Sequence, residues 1–83
     1  MDRASYRIEY TDRDGVLHTP WTAEGDSPED ALHRGAPDAT MRYRIRALRM
    51  SRRTGVCRYS KPHLLILTDG RERCRVVRED GVQ

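Results

Sequence analysis

The regular alternation of apolar and polar residues is the feature that most limits how this chain can fold. In residues 6–10 the apolar side chains of Tyr6, Ile8 and Tyr10 alternate with polar ones, and residues 41–47 repeat the pattern with Arg at every second position. A period of two places the apolar side chains on one face of a β-strand. We therefore expect a sheet with one buried face.

Turn-forming residues separate further strands from the first one. The Asp12–Gly15 segment has the composition of a turn, and Asp69-Gly70 is typical of a two-residue hairpin turn. Because Pro20 has no backbone donor, the second strand should end at a sheet edge. The remaining strands are predicted over residues 16–21, 41–47, 56–60, 63–68 and 72–78.

A short helix is predicted over residues 27–35. Ser27 is a suitable N-cap, Pro28 suits the first helical position, and Asp30 completes a variant of the capping box. Gly35 and the proline two residues later should end the helix after about two turns.

Residues 41–47 also allow a helix. Asp38 could cap it, and four Arg residues recur at helical spacing, namely Arg42, Arg46, Arg49 and Arg53. Such a helix would carry two opposite apolar stripes, one of Met41, Ile45 and Leu48 and one of Tyr43, Ala47 and Met50. We prefer the strand, because it places the apolar residues of 41–47 on a single face.

These elements predict one α+β domain spanning residues 1–83, with a small antiparallel sheet of β-hairpins and one short helix. The expected order is β-β-α-β-β-β-β, and residues 79–83 should be frayed. Only 36% of the residues are hydrophobic and none is Phe, and a chain of this length buries only about 60–65% of its unfolded surface. We therefore expect a modest core that self-association or a partner could stabilise.

No residue pattern indicates catalysis. Asp30 and His33 could form a base and its orienting partner, but an i,i+3 pair of this kind is far more often an ordinary surface pair. The serines lack the glycine context of a nucleophile elbow. We expect a protein without enzyme activity.

We also expect no metal and no other cofactor. The Asp12–Gly15 segment begins like a calcium loop, but its twelfth position is Ala23, which offers no side-chain oxygen. Cys57, Cys74 and the three His residues (His18, His33 and His63) lack the paired short spacings of a zinc site. The two cysteines are expected to be free thiols, and they could lie on adjacent strands.

The chain begins Met1-Asp2-Arg3, and its longest apolar run is residues 64–67. That run is far too short for a signal peptide or a membrane span. The sequence therefore predicts a cytoplasmic protein that does not associate with membranes.

The charge is distributed unevenly along the chain. The net charge is +3, but residues 1–40 carry −5 and residues 41–83 carry +8, and residues 41–61 contain eight basic residues and no acid. Such asymmetry points to a polyanionic partner. The predicted binding residues are Arg42, Arg44, Arg46, Arg49, Arg52, Arg53, Arg58 and Lys61.

On a strand, the first three of these Arg side chains would form a comb on one face, about 6.5–7 Å apart. That distance is close to two phosphate steps of about 3.4 Å along one duplex strand. A second comb, predicted as a secondary binding surface, consists of Arg71, Arg73 and Arg75. Tyr43 and Tyr59 are near enough in sequence to stack on a base, although a strand would turn Tyr43 toward the core.

The predicted order of elements resembles that of some small phage-encoded anti-CRISPR proteins. The shared features are an N-terminal hairpin, a short helix begun by Ser27 and carrying Ala31, an Arg-interleaved strand and a final hairpin on Asp69-Gly70. The resemblance covers about residues 6–78 and includes no signature motif. It implies a phage inhibitor whose basic residues occupy the nucleic-acid path of a CRISPR surveillance complex.

The sequence thus predicts a non-catalytic binding protein, most simply a phage or mobile-element inhibitor in the host cytoplasm. Its Arg face would dock on a host nucleoprotein complex and block access of nucleic acid. The first alternative is a small DNA- or RNA-binding regulator that uses the same Arg residues. Such a regulator could act as a homodimer. The second alternative is a structural or assembly subunit whose charges only keep it soluble.

Overall fold

The computed structural model describes residues 3–50 and 57–79. In chain order the elements are β1 (Ala4–Thr11), β2 (Trp21–Gly25), α1 (Pro28–Arg34), α2 (Ala39–Met50), β3 (Cys57–Lys61), β4 (Leu64–Thr68) and β5 (Arg73–Arg78). The α+β class with a small antiparallel sheet is confirmed. The order is β-β-α-α-β-β-β, because residues 41–47 belong to a second helix.

The five strands form one sheet in the order β2-β1-β5-β4-β3, and all neighbours are antiparallel. The last strand in the chain, β5, therefore lies at the centre, where Tyr6 is paired with Arg78 and Leu67 with Cys74. Both helices pack on the same face of the sheet, with α1 mainly over β2 and α2 over β4. The opposite face is open to solvent.

The alternating apolar side chains of β1 form part of the core, as predicted. Its buried side chains are Ala4, Tyr6, Ile8 and Tyr10, which point toward the helices. They pack with buried side chains of the helices and the neighbouring strands: Ala31, Leu32, Met41, Ile45, Leu48, Leu65, Leu67, Cys74 and Val76. One face of the sheet and one stripe of each helix thus form a single core.

The predicted second strand over residues 16–21 is wrong. Strand β2 begins only at Trp21, and Val16 and Leu17 are exposed, with one isolated bridge from Thr11 to Leu17. Asp12 explains the longer loop, because its Oδ1 accepts hydrogen bonds from the backbone amides of Asp14 and Val16 at 2.9 and 3.0 Å. These bonds close the chain into a local loop before it can pair as a strand. β2 lies at an edge of the sheet, but Pro20 precedes it and is not part of it.

The first helix forms as predicted. The hydroxyl of Ser27 accepts a hydrogen bond from the amide of Asp30 at 3.1 Å, and Pro28 occupies the first helical position. The chain leaves the helix at Gly35, where a Cβ atom would lie 2.5 Å from that of Ala23 on β2. Glycine at this position therefore lets the end of α1 lie directly on the edge strand.

The predicted strand over residues 41–47 is wrong, and the alternative helix is what the structure shows. Asp38 caps α2, because its Oδ1 accepts a hydrogen bond from the amide of Met41 at 2.8 Å. Within α2 only Thr40 and Ile45 are β-branched, whereas Met, Arg, Ala and Leu favour helices. Perfect alternation over seven residues therefore did not outweigh helix propensity and a good cap.

Strands β3, β4 and β5 form a meander at the C-terminal end of the sheet. A two-residue turn of Pro62 and His63 joins β3 to β4, in which Leu65 and Leu67 are buried. The loop from Asp69 to Glu72 has four residues rather than the predicted two, because Thr68 is paired with Arg73. The Oδ1 of Asp69 organises this loop by accepting hydrogen bonds from the amides of residues 71 and 72.

Glu79, the first residue of the predicted frayed end, is held beside β1, because its backbone amide donates a hydrogen bond to the carbonyl of Ser5 at 2.8 Å. The prediction is therefore wrong for Glu79. Residues 80–83 of that prediction, and the first residue of the predicted strand over residues 56–60, lie outside the described residues.

Candidate binding surface on helix α2

Helix α2 has two apolar stripes, and one of them faces solvent. Met41, Ile45 and Leu48 are buried against the sheet, whereas Tyr43 and Met50 on the opposite side are 74% and 66% exposed. Ala47 lies between the last two and is also exposed. A second stripe was the reason for preferring a strand, and it is present in the folded protein. We refer to Tyr43, Ala47 and Met50 as the outer stripe.

The Arg side chains of α2 do not form the comb that was predicted for a strand. Successive helical residues are rotated by about 100°, so Arg44 points about 200° away from Arg42, while Arg46 points only about 40° away from Arg42. Arg42, Arg46 and Arg49 lie on the side of the outer stripe that faces α1, and Arg44 lies on its other side. The helix thus surrounds an exposed apolar stripe with guanidinium groups.

A groove of about 400 Å³ runs between the two helices. Apolar side chains of both helices line it, among them Leu32, Ile45 and Met50. Its polar lining consists of His33, Arg42, Arg46 and Arg49. The groove combines an apolar wall with several cationic groups, and the contribution of α1 to such a site had not been predicted from the sequence.

The cations of the groove differ in their partners. The guanidinium of Arg49 contacts Oε1 of Glu29 at 3.1 Å, which ties α2 to the start of α1. Within residues 3–50 and 57–79, neither Arg42 nor Arg46 has an acidic side chain at ion-pair distance, and both are exposed. These two guanidinium groups are therefore available to an external anion.

Arg44 lies near a polar network at the end of the sheet. The hydroxyl of Tyr10 donates a hydrogen bond to Oε2 of Glu72 at 2.5 Å, and Arg13 binds Oε1 of Glu72 at 3.2 Å. Burial and, after it, the hydrogen bond to Glu72 raise the pKa of Tyr10 to about 12, and Arg44 opposes both effects. A phenol with this pKa stays neutral at physiological pH, so the network is structural rather than a source of a base.

The second predicted comb is divided between a loop and the open face of the sheet. Arg71 lies in the loop before β5, and Arg73 and Arg75 lie on β5, on the face opposite the helices. Arg75 contacts Glu9 at 3.2 Å, and Glu9 also binds Arg7 at 3.2 Å. The hydrogen bond from Arg7 and then the charge of Arg75 lower the pKa of Glu9. This surface is separate from α2 and is partly neutralised.

Of the other predicted binding residues, only Lys61 has a described side chain. Lys61 is exposed at the end of β3, beside the start of α1 at Ser27 and Glu29. Arg58 lies in β3 at the sheet edge, and its side chain is outside the described part of the chain, as are Arg52 and Arg53.

The groups considered for catalysis have other partners. The carboxylate of Asp30 accepts a hydrogen bond from the amide of Asp26 at 2.9 Å and contacts Arg34 at 3.0 Å. The bond from the Asp26 amide is the largest cause of the lowered pKa of Asp30. No three His, Cys, Asp or Glu side chains of the described residues gather where they could hold a metal ion.

Cys74 is a buried free thiol, as predicted, and burial raises its pKa to about 12. The two cysteines are not on adjacent strands, because β4 lies between β3 and β5. Neighbouring strands are about 4.8 Å apart, so two steps exceed the Cα–Cα distance of about 7 Å that a disulfide can span. Cys57 and Cys74 therefore cannot pair within one molecule of this fold.

Neither of the two helices in the described residues has the length and apolar character needed to span a membrane. The comparisons with known proteins give no relative: the chain matches no protein-family model, no curated protein and no solved structure.

Proposed function

We propose that this protein acts by binding, without catalysis, and that it docks the solvent face of α2 on an acidic surface of a partner protein. The observation that carries the proposal is the pairing of an exposed apolar stripe with unpaired guanidinium groups on the same helix. Tyr43 and Met50 are largely exposed, and Arg42 and Arg46 beside them have no acidic partner among the described residues.

The composition of this face favours a protein partner over plain nucleic acid. Tyr, Met and Arg are the side chains enriched at the centres of protein–protein interfaces. Nucleic-acid sites, in contrast, are strongly basic throughout, and here Arg49, which lines the groove, is neutralised by Glu29. An apolar centre with a cationic rim therefore fits an apolar patch with an acidic rim on a partner.

The target that we propose is a host nucleoprotein complex, whose nucleic-acid path the protein would cover. A protein that enters a site for phosphates must offer an anionic or neutral surface to it, or bind acidic groups at its border. The second of these routes suits α2, since the helix carries four Arg residues and no acid. Such a mode of action would suit a phage or mobile-element inhibitor in the cytoplasm of the infected cell. The resemblance to anti-CRISPR proteins does not support it, because the Arg-interleaved strand on which that resemblance relied is helix α2.

A second candidate is a regulator that binds DNA or RNA directly through α2. The exposure of Arg42, Arg44 and Arg46 favours it, since each could neutralise a phosphate. Binding of this kind would weaken with salt, with a slope of about −0.9 per phosphate contact on duplex. Three contacts thus predict a slope of about −3 in a plot of log affinity against log salt concentration.

An affinity purification from a bacterial lysate tests both candidates. We expect the tagged protein to retain a nucleoprotein partner after nuclease treatment, and the Arg42→Ala/Arg44→Ala/Arg46→Ala variant to lose that partner. The matched control is Arg3→Ala/Arg71→Ala/Arg73→Ala, which removes the same charge from exposed positions outside α2 and should retain it.

Direct binding is measured with labelled duplex and single-stranded oligonucleotides at about 150 mM salt, where non-specific binding is typically weaker than micromolar. Submicromolar binding that the α2 variant abolishes would establish the second candidate instead. Retention of every partner by the α2 variant would overturn both.

A further inference from the structure

The groove between α1 and α2 has a chemistry that the outer stripe lacks. Its wall includes Leu32 of α1 and Ile45 of α2, and its open side includes the guanidinium groups of Arg42 and Arg46. A volume of about 400 Å³ leaves room for apolar side chains from one face of an approaching element. The occupant must therefore present apolar groups and negative charge together.

The spacing of the two free cations indicates the geometry of this charge. Arg42 and Arg46 are four residues apart, so their positions differ by about 6 Å along the helix axis. Two acidic residues at i and i+4 on another helix have the same axial separation, and helical neighbours at this spacing lie on one face. A helix laid along α2 can thus place one carboxylate beside each guanidinium.

The wall of the groove argues for a polypeptide occupant. The described residues that line it include neither Tyr nor Trp, which are the usual stacking platforms for unpaired bases. Tyr43 belongs to the outer stripe and does not line the groove. Aliphatic side chains from two helices instead form the kind of groove into which an amphipathic helix places its apolar face.

We infer that the groove between α1 and α2 is a docking site for an acidic amphipathic helix of the partner. Its apolar residues contact Ala36 and Met50, the accessible apolar groups of the groove beside the buried Leu32 and Ile45, and its acids at i and i+4 pair with Arg42 and Arg46. The inference rests on the proposed function, and it specifies the partner's chemistry and where on α2 that partner binds. Arg49 stays paired with Glu29 and holds the two walls together.

Synthetic peptides test this inference directly. The probe is a fluorescein-labelled peptide of about 18 residues, long enough to form a helix, with Leu along one face and Glu pairs at i and i+4 beside it. One control peptide has Gln in place of Glu, and another has Ser in place of Leu. We expect the first peptide to bind in the micromolar range by fluorescence anisotropy and each control to bind at least about tenfold more weakly.

Variants of the protein locate the bound peptide. Arg42→Ala and Arg46→Ala should each weaken binding about tenfold, the effect of losing one partly desolvated ion pair. Ala36→Trp, which fills the groove without changing its charge, should weaken binding by a similar factor. Arg3→Ala and Arg73→Ala, which each remove one exposed charge outside α2, are the matched controls and should change the affinity less than about twofold.

Three results would overturn the inference. They are no peptide binding at about 100 μM, equal binding of all three peptides, and peptide binding that the groove variants leave unchanged. Tighter binding of a labelled oligonucleotide, with loss in the same groove variants, would assign the groove to nucleic acid instead.

Failure of this inference can be told apart from failure of the proposed function. If Ala36→Trp retains the partner in the affinity purification while Arg42→Ala/Arg44→Ala/Arg46→Ala loses it, the face of α2 binds the partner without the groove. If both variants retain the partner, the proposed function fails as well.

Discussion

Arg42 and Arg46 of α2 differ from Arg7 and Arg75 of the sheet in what they contact, although all four are accessible to solvent. Arg7 and Arg75 share Glu9, and Arg13, in the loop after β1, bridges Glu72 and Asp69. Arg42 and Arg46, in contrast, have no acidic partner among the described residues. Under the proposed function, the absence of nearby acids is a better guide to the binding site than the abundance of Arg.

The largest expected effect concerns the packing of α2 on the sheet. This packing determines where the exposed Arg side chains of α2 lie. Ile45 is only 3% exposed. Ile45→Asp should destabilise the protein by several kcal/mol, because it buries a carboxylate without a partner. Chemical denaturation measures the free energy of unfolding. Arg44→Asp on the exposed side of the helix is the control and should cost less than about 0.5 kcal/mol. Equal losses would mean that α2 is not docked as described.

The next largest effect concerns the network that includes Arg13. Tyr10→Phe removes the hydrogen bond to Glu72 and should cost about 1 kcal/mol at neutral pH. The pKa of Tyr10 is raised from 10.0 to about 12 in the folded protein. Its extra stability is therefore complete below pH 10 and is lost as the pH rises from 10 to 12. The difference in unfolding free energy between the wild type and Tyr10→Phe should shrink over that range, and a constant difference would contradict the assignment.

A smaller effect is expected for Glu9, which joins two Arg residues on the open face of the sheet. The pKa of Glu9 is lowered in the folded protein, so its contribution is present above the unfolded value of about 4.3 and is lost as the pH falls through the folded value. Glu9→Gln should cost about 0.5 kcal/mol at neutral pH, because solvent screens these exposed pairs. The variant should also lose less stability than the wild type on acidification below about pH 4. If the variant and the wild type lost the same stability on acidification, the ion pairs of Glu9 would contribute nothing to the free energy of unfolding.

The smallest effect is expected where a cation has no partner. Arg46→Ala should change the free energy of unfolding by less than about 0.5 kcal/mol, since no ion pair is lost and Ala favours helices. Arg75→Ala, which loses its contact with Glu9, is the comparison. If Arg46→Ala were the more destabilising of the two, the two sets of Arg would not differ in the way described above.

The parts of the fold that the sequence predicts well are those in which local signals agree. Ser27 and Pro28 mark the start of α1, and the Tyr and Ile residues of β1 combine alternation with strand propensity. Residues 41–47 alternate equally well, but with residue types that prefer helices. The rule that rejected the helix assumed that a second apolar stripe is unfavourable. The exposed stripe of Tyr43 and Met50 breaks this rule, and the proposed function gives that stripe a role.

Other features depend on contacts that the sequence does not display. The cationic stretch was recognised from the charge pattern, but only the helix shows that Arg44 is separated from Arg42 and Arg46. The contribution of α1 to the groove depends on how Leu32 and Ile45 meet across the core. The length of the first loop follows from hydrogen bonds to Asp12. From the Asp-x-Asp-Gly residues alone, only a turn was predicted.

The central position of β5 has a consequence for the order in which the protein folds. Strand β1 is made first and β5 last, yet the two are paired from Tyr6–Arg78 to Thr11–Arg73. During synthesis, β1 can pair only with β2, and Ile8 stays without its partner Val76 until residues 73–78 have been made. Pairings so distant in sequence make folding slow, typically milliseconds to seconds. The central pairing of the described sheet is therefore incomplete until residues 73–78 have been made.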